Sequence, residues 1–349
     1  MTRLALVMIV RDEAASIARC LASAAPLVDD IVVLDTGSRD ATPALARAHG
    51  ARVFSFAWCD DFAAARNAAL AHADADWNLI LDGDEWIAPG AEQAALDALL
   101  AGPPCIGVLP MANEVDLQGR VETTTLWLPR LLPRGVRYAG RIHEQPVSNL
   151  PRQRIALPLG HDGYRGAALA RKRGRNAALL ERALAETPGQ PYLLYQLGKD
   201  HEVYRDYAVA APLYRQALAA GGQDGWRHDL VVRSLFVLKK LGLHSEAVDL
   251  AEAEMAHWQD SPDFYFTLGD LLLDWAGTAP ARAAELLPMV EDCWQRCLAL
   301  GERPDLDGAV AGRGSHLAAH NLVVLYENLG MEEQAAPLRP LAARRAVGG

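Results

Sequence analysis

Trp77-Asn78-Leu79-Ile80-Leu81-Asp82-Gly83-Asp84-Glu85 is the stretch on which the fold turns. A short apolar run that stops abruptly at a polar turn reads as a buried strand. This one delivers two carboxylates, one residue apart, at its carboxyl end. Gly83 keeps the backbone slim between them, so on an extended turn Asp82 and Asp84 can face one ligand. A diphosphate needs its charge neutralised, and Mg²⁺ or Mn²⁺ prefers hard oxygen ligands of this kind. Upstream, Leu4–Val10, Ile31–Leu34 and Arg52–Ser55 join Asn78–Leu81 as strand candidates. The Ala-rich stretches Ala14–Ala24, Thr42–Ala48 and Phe62–Ala73 lie between them and have a helical period. Apolar strands alternating with helices predict an α/β domain with a mostly parallel, Rossmann-like sheet covered on both faces. Such sheets bind ligands beyond the carboxyl ends of their strands. After about residue 105 the rhythm breaks into short mixed runs such as Thr123–Leu128, read as strands and loops that complete the domain.

Two more polar segments sit where that crevice should open. Ile31-Val32-Val33-Leu34-Asp35-Thr36-Gly37-Ser38-Arg39-Asp40 puts Asp35 at a strand end, where it can accept from a base N–H or a ribose hydroxyl. Asp40 reads as a cap for the helix starting near Thr42. In Trp58-Cys59-Asp60-Asp61-Phe62-Ala63-Ala64-Ala65-Arg66-Asn67, Arg66 lies near a helix start, with a phosphate, Asp82 or a nearby acidic loop as its candidate partners.

From about Ala167 the sequence is helical and echoes itself. Leu197-Gly198, Leu241-Gly242, Leu268-Gly269 and Leu329-Gly330 recur at uneven spacing, with Ala217, Ala247 and Ala335-Ala336 as small partners. These look like degenerate tetratricopeptide-type units, whose small residues let paired helices approach closely; a plain helical bundle is the alternative. The expected division is an α/β domain over 1–165 and a tetratricopeptide-like helical domain over 166–349. Tyr192, Tyr195, Trp226, Trp258, Tyr265, Trp275 and Trp294 fall at helical spacing and read chiefly as core.

Composition narrows the partners. A chain of 349 residues with 51% hydrophobic and 22% charged residues can bury two cores. The net charge of −10 lacks the basic stripe of a nucleic-acid binder, Arg171-Lys172-Arg173 with Arg175 being the one close basic cluster. Nucleic acid is therefore not an expected partner. Cys20, Cys59, Cys105, Cys293 and Cys297 are odd in number and form no CxxC pair, which indicates neither a zinc site nor a disulfide framework. Leu4–Val10 is too short to span a bilayer and no cleavage site follows it, so the expectation is a cytoplasmic protein with no transmembrane segment.

Met8–Glu13, Asp35–Asp40, Phe62–Asn67 and Leu81–Glu85, in that order, resemble family 2 inverting glycosyltransferases of the GT-A fold. The chain is similar in particular to a bacterial branch in which a short GT-A domain is fused to tetratricopeptide-like helices. That branch includes lipopolysaccharide-core β-glucosyltransferases and sublancin-type peptide S-glycosyltransferases. Gly140-Arg141-Ile142-His143-Glu144-Gln145, His161-Asp162-Gly163-Tyr164 and Lys172-x2-Arg175-Asn176-x2-Leu179-Leu180 extend the likeness. The resemblance implies that Asp35 meets the nucleotide base, that Arg66 helps hold the site and that Asp82 approaches the ribose or metal. It also implies Asp84 as the main metal ligand, His161 as a second group on the metal or diphosphate, and Glu144 as the general base. Branch members usually carry Asn where this chain has Asp12, and Ala where it has Gly83.

Inverting transfer is one displacement at the anomeric carbon. It needs a base for the acceptor proton and a counter-charge for the departing diphosphate. The expected reaction moves a hexose from a nucleotide-diphosphate sugar, UDP-linked by resemblance, to a saccharide, lipid-linked or peptide acceptor, with Mn²⁺ or Mg²⁺ as cofactor. The helical half would shape or recruit the acceptor or build a homodimer. Two other classes fit the sequence less well. An inactive repeat scaffold with a nucleotide-binding α/β domain is opposed by the intact carboxylates. A nucleotidyltransferase would want a Gly-rich basic loop, where this chain has Val10-Arg11-Asp12-Glu13.

Overall fold

In a computed structural model, residues 2–90, 93–117, 120–161, 174–222 and 225–343 are described. Asp162-Gly163-Tyr164 and Arg171-Lys172-Arg173 lie outside them. The chain divides into two compact units, one of residues 1–121 with 126–186, the other of 122–125 with 187–349.

The first unit is the expected α/β layer structure. Strands β1 (Leu4–Val10), β2 (Asp30–Asp35), β3 (Arg52–Ser55) and β4 (Trp77–Ile80) pair in parallel in the order β3-β2-β1-β4. Helices α1 (Ile17–Ala24), α2 (Thr42–Ala48) and α3 (Phe62–Ala71) connect them. All seven side chains of β1 are buried, and period two sends them to opposite faces. Leu4, Leu6, Met8 and Val10 share a core with Ile17 and Leu21 of α1 and Ala46 of α2. Ala5, Val7 and Ile9 pack with Ala65, Ala69 and Leu70 of α3. Strand order therefore turns between β1 and β4, which places the crevice beyond their carboxyl ends.

The irregular stretch after residue 105 completes the sheet. Beyond β5 (Glu85–Ile87) and α4 (Gln93–Ala101) come β6 (Ile106–Leu117) and β7 (Arg120–Pro133), and β7 pairs antiparallel with β4 through Leu131 and Leu79. β8 (Arg137–Ala139) and β9 (Gln145–Val147) form a small antiparallel pair. β10 (Arg152–Arg154) and β11 (Leu159–His161) run parallel to β6. β11 also pairs antiparallel with β5, His161 opposite Glu85. Helix α5 (Arg175–Glu186) belongs to this unit.

The second unit is helical: α6 (Pro191–Val203), α7 (Tyr207–Ala219), α8 (Arg227–Lys240), α9 (His244–Glu254), α10 (Pro262–Thr278), α11 (Ala283–Leu300) and α12 (His316–Leu329), with the short α13 (Glu332–Ala335) and α14 (Arg339–Ala342). Its one described ladder joins β12 (Ala309–Val310) to Thr124 and Thr125. The four Leu-Gly pairs separate into two kinds. Gly198 and Gly269 lie inside helices where a Cβ would run into the Tyr214 ring and, at 2.7 Å, the Trp294 ring, so they give the close approach expected of paired helices. Gly242 and Gly330 instead follow the ends of α8 and α12 with φ of +70°, the left-handed conformation that closes a helix. Of the seven aromatics read as core, Trp294 and Tyr195 are among the largest fully buried side chains, and Trp258, Tyr265 and Trp275 pack half-buried against the core of this unit; Tyr192 and Trp226 are half-buried.

Candidate active site

Three of the residues expected to act together meet in the first unit. Arg66 sits on α3, whose start is capped by Asp61 accepting from the Ala64 N–H at 2.8 Å. Its side chain is only 7% exposed. Nη2 donates to Asp82 Oδ1 at 2.7 Å and Nε donates to Glu144 Oε1. The neighbouring Asn67 fixes the other end of this contact. It exchanges two hydrogen bonds with the Tyr138 backbone, at 2.9 and 2.8 Å, and so ties β8 to α3 ahead of the Glu144 turn. The Phe62 N–H donates to the Arg141 carbonyl at 2.8 Å. His143 enters that turn with φ of +51°, a conformation uncommon outside glycine and found where surrounding structure over-determines it. The Arg66-Asn67 pair thus does two jobs, one side chain gripping the acid and the next gripping its strand.

Asp82 is held from a second side by a residue the sequence reading missed. Arg130, on β7, donates to Asp82 Oδ2 at 2.9 Å and also to Glu85 Oε1. Glu85 Oε2 accepts from the Asp82 N–H at 3.0 Å. Burial alone would raise the Asp82 carboxyl, but the charges of Arg66 and Arg130 overcome it and hold the group well below the usual carboxylate range. Glu85, just 2% exposed, goes the other way: desolvation raises it above the ordinary value despite Arg130. Burial also pushes the Tyr138 hydroxyl up to about 12, against the lowering pull of the two arginines. The signal for Arg130 was present: a lone cation in Leu126-Trp127-Leu128-Pro129-Arg130-Leu131-Leu132 has to be buried with a partner. The expected contact of Asp82 with ribose or metal has competition, because each of its oxygens already accepts from a guanidinium.

Asp84 and His161 form the second group. The β5–β11 pairing brings His161 Nε2 to 3.3 Å from Asp84 Oδ2, with side chains 9% and 18% exposed. Gly160 makes this pairing possible. A Cβ there would enter the Trp86 ring, which carries the Arg19 guanidinium 3.6 Å above its centroid. One carboxylate oxygen beside an imidazole nitrogen suits Mn²⁺, a borderline ion, better than Mg²⁺, for which the carboxylate is the natural donor. Two adjacent ligands at roughly 2.1 Å from an octahedral ion stand roughly 3 Å apart, close to the observed spacing. Among the described residues no cluster of three or more His, Cys, Asp or Glu is poised to hold a metal. The spacing and donors of Asp84 and His161 fit such an ion.

Asp35 stands apart from both groups at the end of β2, buried to 9% exposure. Its oxygens accept from the Gly37 N–H at 3.3 Å and the Ser38 N–H at 3.2 Å. Ser38 Oγ in turn accepts from the Asp12 N–H at 2.9 Å, and Asp12 Oδ1 accepts from Arg39 N–H at 2.7 Å. Asp40 accepts from Thr42 N–H at 2.9 Å, just ahead of α2, and from Ala14 N–H at 3.1 Å. The two departures from the branch pattern are locally sound. Asp12 has φ of +56°, a region in which Asn and Asp are both favoured. A Cβ on Gly83 would lie 2.8 Å from Glu13 Cγ, so here Gly83 admits the Glu13 side chain.

The model for glycosyl transferase family 2 matches residues 5–174, which contain every residue of this site. A TPR repeat-containing protein of Synechococcus elongatus is 35% identical over 285 residues, covering 77% of this chain and 69% of that protein. The SPbeta prophage-derived glycosyltransferase SunS of Bacillus subtilis is 28% identical over 207 residues, 55% of this chain and 48% of its own, so the alignment spans about half of that relative. Among solved structures, glucosyl-3-phosphoglycerate synthase from Mycobacterium tuberculosis, in complex with Mg²⁺ and uridine diphosphate, is 26% identical over 32% of this chain and 43% of that one, at a TM-score of 0.26. On these matches the chain belongs to glycosyltransferase family 2 through residues 5–174, which a helical region follows.

Proposed function

We propose that this protein transfers a hexose, with inversion, from a nucleoside diphosphate sugar to a saccharide, lipid-linked or peptide acceptor, and that uridine is the base. The observation that carries the reading is the pairing of Asp84 with His161 in the same unit as the Glu144–Arg66–Asp82 chain. One group is chemically suited to a metal–diphosphate, the other to a proton.

In this reading Asp35 and its turn meet the base, while Asp84 and His161 would hold Mn²⁺ or Mg²⁺, a cation that would supply counter-charge for the leaving diphosphate. Glu144 accepts the acceptor's proton as the acceptor atom bonds to the anomeric carbon, and the bond from that carbon to the phosphate oxygen breaks. Arg66 fixes Glu144 Oε1, so the carboxylate is oriented before the acceptor arrives. The helical unit recruits or shapes the acceptor, or pairs two copies. No described helix is long and apolar enough to cross a membrane.

Calorimetry with UDP, GDP and CDP, in Mn²⁺ and then in EDTA, tests the donor site. The expected result is metal-dependent binding of UDP, lost in Asp84→Ala with the melting temperature kept. Binding of no nucleotide, or wild-type UDP affinity in Asp84→Ala, would overturn the assignment and favour a repeat scaffold.

A further inference from the structure

Five charged side chains run through the first unit with alternating sign: Glu144, Arg66, Asp82, Arg130 and Glu85. Arg130 is three ion pairs away from Glu144. We propose that Arg130 is a positioning residue which, acting through Asp82 and Arg66, decides where the Glu144 carboxylate stands; its catalytic meaning rests on the reading of Glu144 as the base.

The argument lies in which nitrogens are used. A guanidinium binds a carboxylate most strongly in a two-pronged fork, and Nε with Nη2 forms one such edge. On Arg66 that edge is split, Nη2 going to Asp82 Oδ1 and Nε to Glu144 Oε1. Asp82 is prevented from taking both prongs because its second oxygen, Oδ2, already accepts from Arg130. Remove that cation, and Asp82 gains by turning Oδ2 onto Arg66 Nε, which displaces Glu144. Glu85, buried beside Arg130, holds it in place from the far side. Neither guanidinium is saturated: Arg66 Nη1 and Arg130 Nε are buried without a hydrogen-bond partner. The orientations follow the carboxylates, with donors to spare. The chain therefore transmits a change at Arg130 to Glu144.

The test needs no substrate. The full-length protein is treated with a water-soluble carbodiimide and glycine ethyl ester, and labelling of Glu144 is read by peptide mass spectrometry against the exposed Asp74. Arg130→Met is expected to raise Glu144 labelling severalfold, with Arg130→Lys within about twofold of wild type. Asp82→Asn should leave it at or below wild type, since Arg66 then has Glu144 as its remaining anion. Arg130→Met strands Glu85 without a counter-ion, so the double variant R130M/E85Q is made beside it, and labelling is read from whichever melts with wild type. Unchanged labelling on loss of Arg130 overturns the proposal, as does a joint rise in Asp82→Asn, which would mean general loosening. UDP binding with Mn²⁺ is measured on the same preparations. A wild type that binds no nucleotide defeats the donor-site reading, while the labelling still decides the role of Arg130.

Discussion

Both units bury charge, but they close it off differently. In the helical unit Asp229, 4% exposed, accepts from the Tyr195 hydroxyl, from Lys199 at 3.0 Å and from Arg233 at 2.7 Å. Arg233 also reaches Glu202 at 3.0 Å, and Glu202 accepts from the Tyr214 hydroxyl at 2.5 Å. Hydroxyls of core tyrosines finish the cluster, so it faces inward. In the sheet unit the chain of charges includes Asp82, with 36% of its side chain exposed beside the Asp84–His161 pair. A cluster finished by hydroxyls and neighbouring helices braces a scaffold, whereas one whose middle carboxylate is exposed at a strand's carboxyl edge presents a group that a ligand can reach.

Substitutions that remove one charge should therefore divide by unit. The largest effect is expected at Glu144→Gln. Gln still accepts from Arg66 but takes no proton, so release of UDP from a UDP-sugar should fall about 10²–10⁴-fold. Donor affinity and melting temperature should stay near wild type. Surviving turnover would move the base elsewhere. Asp229→Ala should do the reverse, leaving UDP binding intact while costing about 3–5 kcal/mol in denaturant unfolding, because Lys199 and Arg233 lose a buried counter-ion. If Asp229→Ala abolished UDP binding in protein that remained folded, the distinction between the two clusters would fail.

The legible parts of this molecule are those set by local pattern. Leu4–Val10 and Arg52–Ser55 are strands with the bounds read from the sequence, and Thr42–Ala48 is a helix with the bounds read. Apolar runs and Ala-rich stretches carry their own period, so these elements need no tertiary knowledge. Asp84 and His161 were legible as a pair through the resemblance alone, since 77 positions separate them and the β5–β11 ladder that joins them is a long-range event. Arg130 was illegible as a partner of Asp82 because the link spans 48 residues and depends on β7 lying beside β4. The Leu-Gly pairs failed in a different way. A glycine inside a helix and one just after its end look alike in sequence, and only the helix end separates Gly198 from Gly330.

Two glycines sharpen the comparison at a smaller scale. A Cβ on Gly160 would strike Trp86, and one on Gly198 would strike Tyr214. Overpacking of this kind costs about 1–3 kcal/mol, so Gly160→Ala and Gly198→Ala should be destabilised alike. Gly160 adjoins His161, however, so Gly160→Ala alone should also weaken Mn²⁺-dependent UDP binding. Calorimetry of the two variants side by side checks this, and equal UDP affinities would break the claim that the Trp86 contact serves the site.

The smallest effect is a pH slope, and it sets two carboxylates of the helical unit against each other. Burial raises both. At Asp229 the charges of Arg233 and Lys199 overcome it, and the carboxyl is held well below its ordinary value. At Asp263, which accepts from the Val310 N–H at 2.9 Å and from Arg313 at 3.2 Å, burial prevails and the carboxyl is raised. A depressed acid stabilises the fold above its unfolded pKa of about 4 and loses that contribution as pH falls below it. A raised acid contributes in full below that pKa and loses the contribution as pH climbs through the folded value. Each group, while it titrates, gives a slope of at most about 1.4 kcal/mol per pH unit. Denaturant melts of wild type and Asp229→Asn from pH 6 to pH 3 should show the wild type losing stability faster on the acid side, with the variant flatter. Asp263→Asn should instead leave the acid limb and remove a loss that begins above about pH 4. If the two variants gave the same curve, the cations around Asp229 would not be acting on its charge, and the contrast drawn between braced and open clusters would have to rest on geometry alone.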